Sequence, residues 1–578
     1  MLLFVNLNYS WGHIMDLNIR ITGAAGQGIQ TASDMLGRAV TRAGLFAYSY
    51  NDAESRIRGG LNFAHLRCSD KPAMGVSDKI DILVAFTQSA LNEFGPGLAH
   101  AAVVLTSGDW AHPRRAPYQL GPLATQAGSA KAVTAVTFGA VGAMMGLERD
   151  ILLKIIRETF AGDNKLIEIN INALNSGYDA ASNRDSSARF RMPAAEKIAG
   201  RLWISGGEAV ALGAVAGGVS FYAGYPMSPS TSIITSLASW SNETGVVVEQ
   251  AEDEVAAINM VAGASYAGAR AMTATSGGGF ALMVEGLSLI GMIEVPAVIA
   301  LAQRPGPATG LPTRTAQGDL NFVRHAGHGA FARIILAPRN VHDCFGLTAR
   351  AFDMAEKYQV PVIIMTDQLL QDSYATVEPF TVNGFPTARH LLYGDQLNAM
   401  DKYRRYAQTE SGISPMAAPG VSKQVVVVDS DEHDEDGHLI ESAEIAHRMA
   451  GKRMRKAETV MRLTEAPLIE GEVLGRPLVV SWGSAYETVA EARSVLAGSG
   501  KQFAHMHFHW MWPLPRDGKI AGAMSDASSV IVVENNVGCD LESILRETAV
   551  AEVDRTINKM DGRPFTVAEL VEKLGEVM

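Results

Sequence analysis

Six short runs rich in apolar and β-branched residues recur between positions 219 and 366, each separated from the next by a stretch of helix length. They cover 219–223, 245–249, 271–275, 296–302, 332–336 and 361–366. Strand-sized runs alternating with amphipathic helices predict a buried parallel sheet covered on both faces. Ligands of such sheets bind beyond the carboxyl ends of the strands, so functional residues are expected in the loops that follow these runs.

The same alternation flanks this region. Near the N-terminus, Leu17, Ile19 and Ile21 alternate with Asn18, Arg20 and Thr22 at strand spacing. A glycine-rich turn follows, and then Ala32, Leu36, Ala39 and Ala43 recur at helical spacing. Further strands are expected at 81–86 and 101–105, with a helix over 133–145. Residues 1–14 read as a loose extension, and 183–197 as a linker rich in Ser, Arg and Ala. The segment 381–476 is irregular and reads as an excursion rather than a packed domain. Beyond it, strands at 478–482, 503–510 and 530–534 alternate with helices. The expectation is an α/β chain with three α/β domains, at 1–197 (linker included), 198–380 and 477–578, with 381–476 as connector.

Composition narrows the partners. The 61 acidic and 49 basic residues leave a net charge of −12 without a basic tract, a poor match for nucleic acid or an anionic membrane. The most apolar stretch, 281–303, carries Glu285, Glu294 and Pro296, so it reads as a buried helix and strand, not a membrane span. Three distant cysteines (Cys68, Cys344, Cys539) without a CxxC exclude a four-cysteine zinc or iron–sulfur site within this chain alone. These features suit a cytoplasmic enzyme or enzyme subunit.

Several loops carry candidate chemistry. Gly23, Gly26 and Gly28 stand between a strand and a helix, where backbone N–H groups serve either a tight turn or a phosphate. Their G-x-x-G-x-G spacing is not the G-x-G-x-x-G of a dinucleotide site, which disfavours a nicotinamide dehydrogenase. Arg56 and Arg58, with Gly59 and Gly60, offer a positive partner for an anion or form a solvated loop. In Tyr225-Pro226-Met227-Ser228-Pro229-Ser230-Thr231, Ser228 fits a helix N-cap and Pro229 the first helical position. Capping leaves the two prolines around hydroxyl residues unexplained, and a ligand-facing loop accounts for them. Glu249, Glu252, Asp253 and Glu254 cluster where a strand gives way to a helix, as dipole complements do. Glu254 adjoins the packing face of Val255, Ile258, Ala262 and Ser265, so it is the candidate buried acid/base. Gly277, Gly278 and Gly279 suggest close approach of a ligand or another chain, and Arg304 could hold a carboxylate bidentately. His505, His507 and His509 share one strand face, and half-exposed strand positions account for them without a metal. The segment 429–437 evokes a calcium loop but has Asp434 where that loop needs glycine.

Taken in order, GAAGQGIQ, ESRIRGG, YPMSPST, VEQAEDEVAAINMVAGAS, TATSGGGFALM and AQRPGPATGLPT resemble the 2-oxoacid:ferredoxin oxidoreductases. The resemblance is to the α subunit with a γ domain fused at its N-terminus, and it covers nearly the whole chain. It implies a γ-type domain, a thiamine-diphosphate-binding pyrimidine domain and a transketolase-type C-terminal domain. Such enzymes decarboxylate a 2-oxoacid on thiamine diphosphate, pass electrons to ferredoxin and form acyl-CoA, reversibly, as the reductive TCA cycle requires. Carried onto this sequence, Glu254 meets the cofactor's aminopyrimidine, near Tyr225, Pro226, Gly277, Gly278 and Gly279. Ser228 and Arg304 line the substrate pocket, Arg314, Arg404 and Arg405 are further cations for a distal carboxylate, and Gly23, Gly26, Gly28 and Arg56 are the CoA or phosphate candidates.

The chain lacks a GDG followed by a downstream Asn for a magnesium–diphosphate end. The resemblance therefore implies a β subunit holding Mg2+ and a [4Fe-4S] cluster, in an (αβ)2 heterotetramer. The segment 406–416 is similar to one in 2-oxoglutarate-type α subunits, which often carry Arg where Met416 stands. The expected substrate is 2-oxoglutarate; pyruvate or a branched-chain 2-oxoacid is the alternative, and a noncatalytic scaffold for the β subunit the rival of another class.

Overall fold

Three sheets organise the chain in a computed structural model that describes residues 16–54, 59–96, 98, 101–182, 190–196, 198–382, 384–385, 388–515, 518–548 and 552–578. The extension 1–14, Arg56, Arg58 and most of the expected linker core (183–189, 197) lie outside the described residues. The chain divides into two compact units. One comprises residues through Ser205 with Ser373–Pro379 and Thr566–Leu570, and the other comprises the remainder.

The first unit is built on an eight-stranded sheet. Its strand Asp16–Ala25 pairs in parallel with Ile82–Ala85 and antiparallel with Gly59–Ser69. Leu17, Ile19 and Ile21 are buried in the cluster that also holds Ile29, Leu36 and Val40 of the helix Ile29–Arg42, as their alternation predicts. The opposite face is buried too. Arg20 lies 3.2 Å from His65 Nδ1 and over the Phe63 ring, and such polar spacing hid the strands Phe46–Asp52 and Gly59–Ser69 from sequence periodicity. Tyr374–Val377 and Leu202–Ser205, placed by position in the second domain, close the edge of this first sheet through antiparallel pairing. The expected helix Val133–Met145 is apolar all round and crosses Asn164–Ser182 closely. A Cβ on Gly139 or Gly177 would lie 2.1 Å from a carbonyl oxygen of the facing helix, so both positions exclude a side chain.

In the second unit all six expected strands form one sheet. From the edge, Val247–Gln250, Phe221–Gly224, Ala271–Thr275, Ala297–Gln303, Pro361–Asp367 and Ile334–Leu336 pair in parallel. The first strand in sequence therefore has the second on one side and the third on the other. The strand order reverses there, which opens a crevice at their carboxyl ends. The C-terminal sheet contains Pro477–Trp482, Ala504–Phe508 and Ser529–Glu534, with Leu468–Glu470 and Arg555–Asn558 at its edges. The run expected as one strand over 503–510 breaks at His509. Its continuation, Trp510–Trp512, pairs with Ile334–Leu336 in the neighbouring sheet of the same unit.

The segment 381–476 is packed rather than an excursion. Its helix Ala443–Met461 sends Lys452 and Lys456 onto the buried Glu294, and Arg405 donates to the Glu294 carbonyl at 2.5 Å. The segment also packs through scattered apolar residues: Leu391 and Met416 join the main core, and Leu397, Tyr403, Ala417 and Val426 cluster beside Tyr266 without regular spacing, so hydrophobic periodicity does not reveal them. Among the described residues no helix is long and apolar enough to cross a membrane.

Candidate functional site

The crevice at the strand reversal receives three loops. After Phe221–Gly224, Tyr225 and Pro226 are exposed, and the helix begins only at Thr231. Ser228 and Pro229 thus belong to the loop, not to the helix start the sequence suggested. The Ser228 carbonyl accepts a 2.7 Å hydrogen bond from Arg304 Nη1. That bond ties the first loop to the one following Ala297–Gln303.

After Val247–Gln250, Asp253 caps the helix Glu254–Tyr266 by accepting from the Ala256 N–H at 2.7 Å. Glu249, Glu252 and Asp253 are exposed, whereas Glu254 is only 2% exposed. The cap explains the difference, because it turns the chain so that the next side chain points inward. Glu254 Oε1 accepts from Thr275 Oγ1 at 3.5 Å, and among the described residues no cation lies within ion-pair distance of it.

After Ala271–Thr275, Gly277, Gly278 and Gly279 open the short helix Gly277–Leu282. A Cβ on Gly279 would stand 2.1 Å from Thr275 Oγ1 and 2.4 Å from Glu254 Oε1, and one on Gly277 would stand 2.6 Å from Asp319 Oδ2. Above Gly278 nothing comes nearer than 3.8 Å. Two carboxylates therefore press on the turn from within, and its middle residue is open to a ligand.

Asp319 was not foreseen from the sequence, where it reads as an ordinary acid before an apolar helix. Its backbone N–H donates to Gln303 Oε1 at 3.1 Å, which draws it in beneath the turn. Burial, with Asp540 adding to it and Arg304 opposing, lifts its carboxyl to about 6. Burial likewise lowers the Arg304 guanidinium from its usual value, against the pull of Asp319 and Glu254. Arg304 Nε and Asp319 Oδ2 are both buried without a hydrogen-bond partner. Glu254, Arg304 and Asp319 thus form a group of three charges, none engaged in an ion pair among the described residues.

Other expected residues lie elsewhere. Arg314 stands farther along the loop, its Cβ 3.1 Å from where a Cβ on Gly562 would be. Arg404 pairs at the surface with Glu435 at 3.0 Å. Its neighbour Arg405 and Tyr406 are buried against the carbonyls of Ile293 and Glu294, which precede the amino end of Ala297–Gln303. Seven residues of strand, roughly 20 Å, separate that end from Arg304. The segment from Arg404 through Tyr406 is thus not brought to the crevice.

In the first unit, Gly26 and Gly28 take positive φ (86° and 78°), and Gly28 precedes the helix Ile29–Arg42 without a side-chain cap. Gly28 is also fixed by packing, since a Cβ there would meet Thr134 Oγ1 at 2.3 Å. Gly23 lies in the strand, where a Cβ would meet Gln27 Oε1 at 2.4 Å. Arg56 lies outside the described residues.

The three histidines are buried, not half-exposed. His505 and His507 share Ser481 Oγ at 2.8 and 2.9 Å, and His509 reaches Glu465 at 3.0 Å. Burial holds His505 near 3, which keeps it neutral. Asp434, Asp436 and His438 place one potential ligand atom each within 4.8 Å of one another. Asp436 is tied to Lys402 at 2.6 Å, and the Asp434 carboxylate accepts the N–H groups of Asp436 and His438.

Residues 212–452 match the family described as pyruvate flavodoxin/ferredoxin oxidoreductase, thiamine diphosphate-binding, and residues 18–180 match pyruvate ferredoxin/flavodoxin oxidoreductase. The chain is 32% identical to the 2-oxoacid:ferredoxin oxidoreductase subunit alpha of Sulfolobus sp., over 98% of this chain and 97% of that one. It is 32% identical to the 2-oxoglutarate synthase subunit KorA of Methanothermobacter thermautotrophicus, over 64% of this chain and 98% of that one. The structure of 2-oxoglutarate:ferredoxin oxidoreductase from Magnetococcus marinus, with 2-oxoglutarate, coenzyme A and succinyl-CoA bound, superimposes with a TM-score of 0.89 at 30% identity. That match covers 97% of this chain and 99% of the other.

Proposed function

Because the chain belongs to the 2-oxoacid:ferredoxin oxidoreductases, as an α subunit with a γ-type N-terminal unit, we propose that its crevice is one half of a thiamine diphosphate site acting on 2-oxoglutarate. The observation that carries this is the enclosed Glu254 carboxylate, without an ion pair among the described residues and pressed against a glycine turn that leaves it no covering side chain. An acid so held fits the ring nitrogen of an aminopyrimidine, with which it can share a proton. When bound, thiamine diphosphate supplies the nucleophilic carbon and the electron sink for decarboxylating a 2-oxoacid.

The chain's own residues then have separable tasks. Glu254 holds and returns a proton at its buried carboxylate. Gly277, Gly278 and Gly279 admit the cofactor to the backbone, with Tyr225 and Pro226 at the rim. Arg304, fixed by the Ser228 carbonyl, offers its remaining N–H groups to the substrate carboxylate. Arg314, on the loop beyond Arg304, is the candidate cation for a distal carboxylate, and Arg404, paired with Glu435 away from the crevice, is not. Gly23, Gly26, Gly28 and Arg56 of the first unit are assigned to the phosphates of CoA.

The remaining parts are assigned to a β subunit in an (αβ)2 assembly in the cytoplasm: the Mg2+–diphosphate site and the [4Fe-4S] cluster that passes electrons to ferredoxin. The preference for 2-oxoglutarate is supported by the names of the relatives, while the family descriptions name pyruvate. The assembled complex should reduce a viologen dye with CoA and 2-oxoglutarate faster than with pyruvate. Faster turnover of pyruvate would overturn the substrate assignment, and no 2-oxoacid-dependent reduction at all would favour a scaffold role. Purified alone, the chain should be colourless and free of iron.

A further inference from the structure

We propose that Asp319 takes up a proton as a carboxylate ligand seats on Arg304, so that substrate binding is coupled to proton uptake. The inference rests on the function proposed above. Among the described residues Arg304 is the cation of the crevice, and Asp319 is half-buried beside it, its buried Oδ2 against Gly277. Neither is neutralised by the other at ion-pair distance, and each keeps a buried polar atom without a partner, Nε of Arg304 and Oδ2 of Asp319. An incoming carboxylate finds a donor at Arg304 and, beside it, two carboxylates, Asp319 and Glu254. Enclosed like charges cannot all stay ionised, so one of them must be neutral for the ligand to settle.

The surroundings select Asp319. Facing it from the helix Asp540–Glu547 is Asp540, whose charge is held by the backbone N–H and side-chain amide of Asn321, both at 3.2 Å. From the loop after Ala297–Gln303 comes Arg304, which feels both Asp319 and Glu254. On its own helix, Arg324 is turned to Glu547. Glu254 receives the Thr275 hydroxyl. No described donor reaches either oxygen of Asp319, so its anion is the least supported of the three and the cheapest to protonate. Burial has already raised its carboxyl to about 6, and an anion bound alongside raises it further.

The test uses the assembled complex and oxalate, an unreactive mimic of a 2-oxoacid. Calorimetric titration at pH 7 in two buffers of different ionisation heat should show uptake of about half a proton or more per oxalate, with affinity falling as pH rises. Asp319→Asn, isosteric and permanently neutral, should bind oxalate at least as tightly, with no proton uptake and a flat pH dependence. Oxalate binding to the wild type without proton uptake, or with the same uptake in Asp319→Asn, would sink the inference while leaving the proposed function standing. A complex that neither binds oxalate nor turns over any 2-oxoacid would instead remove the function on which it rests, and the inference with it.

Discussion

A methyl group on Gly279 would stand 2.4 Å from Oε1 of Glu254, nearer than any real Cβ approaches an oxygen. The glycine is there because the acid is. Gly279→Ala should therefore displace the carboxylate rather than merely stiffen the turn, lowering 2-oxoacid-dependent turnover by about 10²-fold or more, the scale of losing a positioned acid/base. Gly278→Ala, with open space above it, should fold equally well and lose activity only through weaker cofactor binding. Cofactor affinity and far-ultraviolet circular dichroism on both variants separate the two effects.

Glu254→Gln preserves volume and the Thr275 hydrogen bond but cannot exchange a proton. Assembly with the β subunit should persist while turnover falls by about 10²-fold or more. Asp253 is the helix cap, so Asp253→Ala should cost about 1 kcal/mol of stability and leave turnover nearly intact. Hydrogen–deuterium exchange at the cofactor's thiazolium carbon reads the chemical step directly. Wild-type exchange in Glu254→Gln would assign the activating acid to another residue.

The contrast between Glu254 and Asp319 shows what was legible beforehand. Five of the six parallel strands were readable as buried apolar runs, and the exposed edge strand Val247–Gln250 by its paired valines. Glu254 was readable because Ile258, Ala262 and Ser265 share its buried face, although Val255, read onto that face, is exposed. Asp319 was not, since its burial depends on Gln303, sixteen positions upstream, donating nothing to local periodicity. The polar strands Phe46–Asp52 and Gly59–Ser69 escaped for the same reason, as did the packing of 381–476, which rests on Glu294 with two lysines distant in sequence and on apolar residues without regular spacing. The resemblance in sequence carried Arg404 toward the pocket, whereas the chain's path carries it to the other end of the strands.

Glu294 is the pivot of that packing. Burial alone would raise its carboxyl, but Lys456, Lys452 and Arg405 outweigh burial and hold it well below the usual range. A carboxylate depressed in the folded state adds stability that is present above its unfolded value near 4.5 and is lost as pH falls below it. Glu294→Gln leaves three enclosed cations and should cost about 3–5 kcal/mol. Lys456, pushed down to about 7 by burial despite Glu294, is the surplus charge, so Lys456→Met should cost far less. Urea midpoints at pH 7 should show the Glu294→Gln deficit. A Glu294→Gln variant as stable as the wild type there would mean the ion cluster contributes nothing through its charge.

The arginines give the last prediction. Arg404 is half exposed and already paired with Glu435, a surface contact worth about 0–1 kcal/mol, and it lies at the far end of the strands from the crevice. Arg404→Met should therefore leave the KM for every 2-oxoacid within about twofold, because a change near 1 kcal/mol remote from the site adds little to ligand binding. Arg304→Met removes the cation facing Glu254 and Asp319, so a substrate carboxylate would meet two acids and no counter-charge. Its KM should rise by about 10²-fold for 2-oxoglutarate and pyruvate alike, since both carry the same 2-oxoacid carboxylate and a charged hydrogen bond is worth roughly 1.5–3 kcal/mol. Arg304→Lys keeps the charge but loses the fork held by the Ser228 carbonyl, and should fall between the two. Arg314→Met discriminates: if this side chain serves the distal carboxylate, KM rises for 2-oxoglutarate and not for pyruvate. An unchanged KM for 2-oxoglutarate in Arg314→Met would assign the distal carboxylate to another cation.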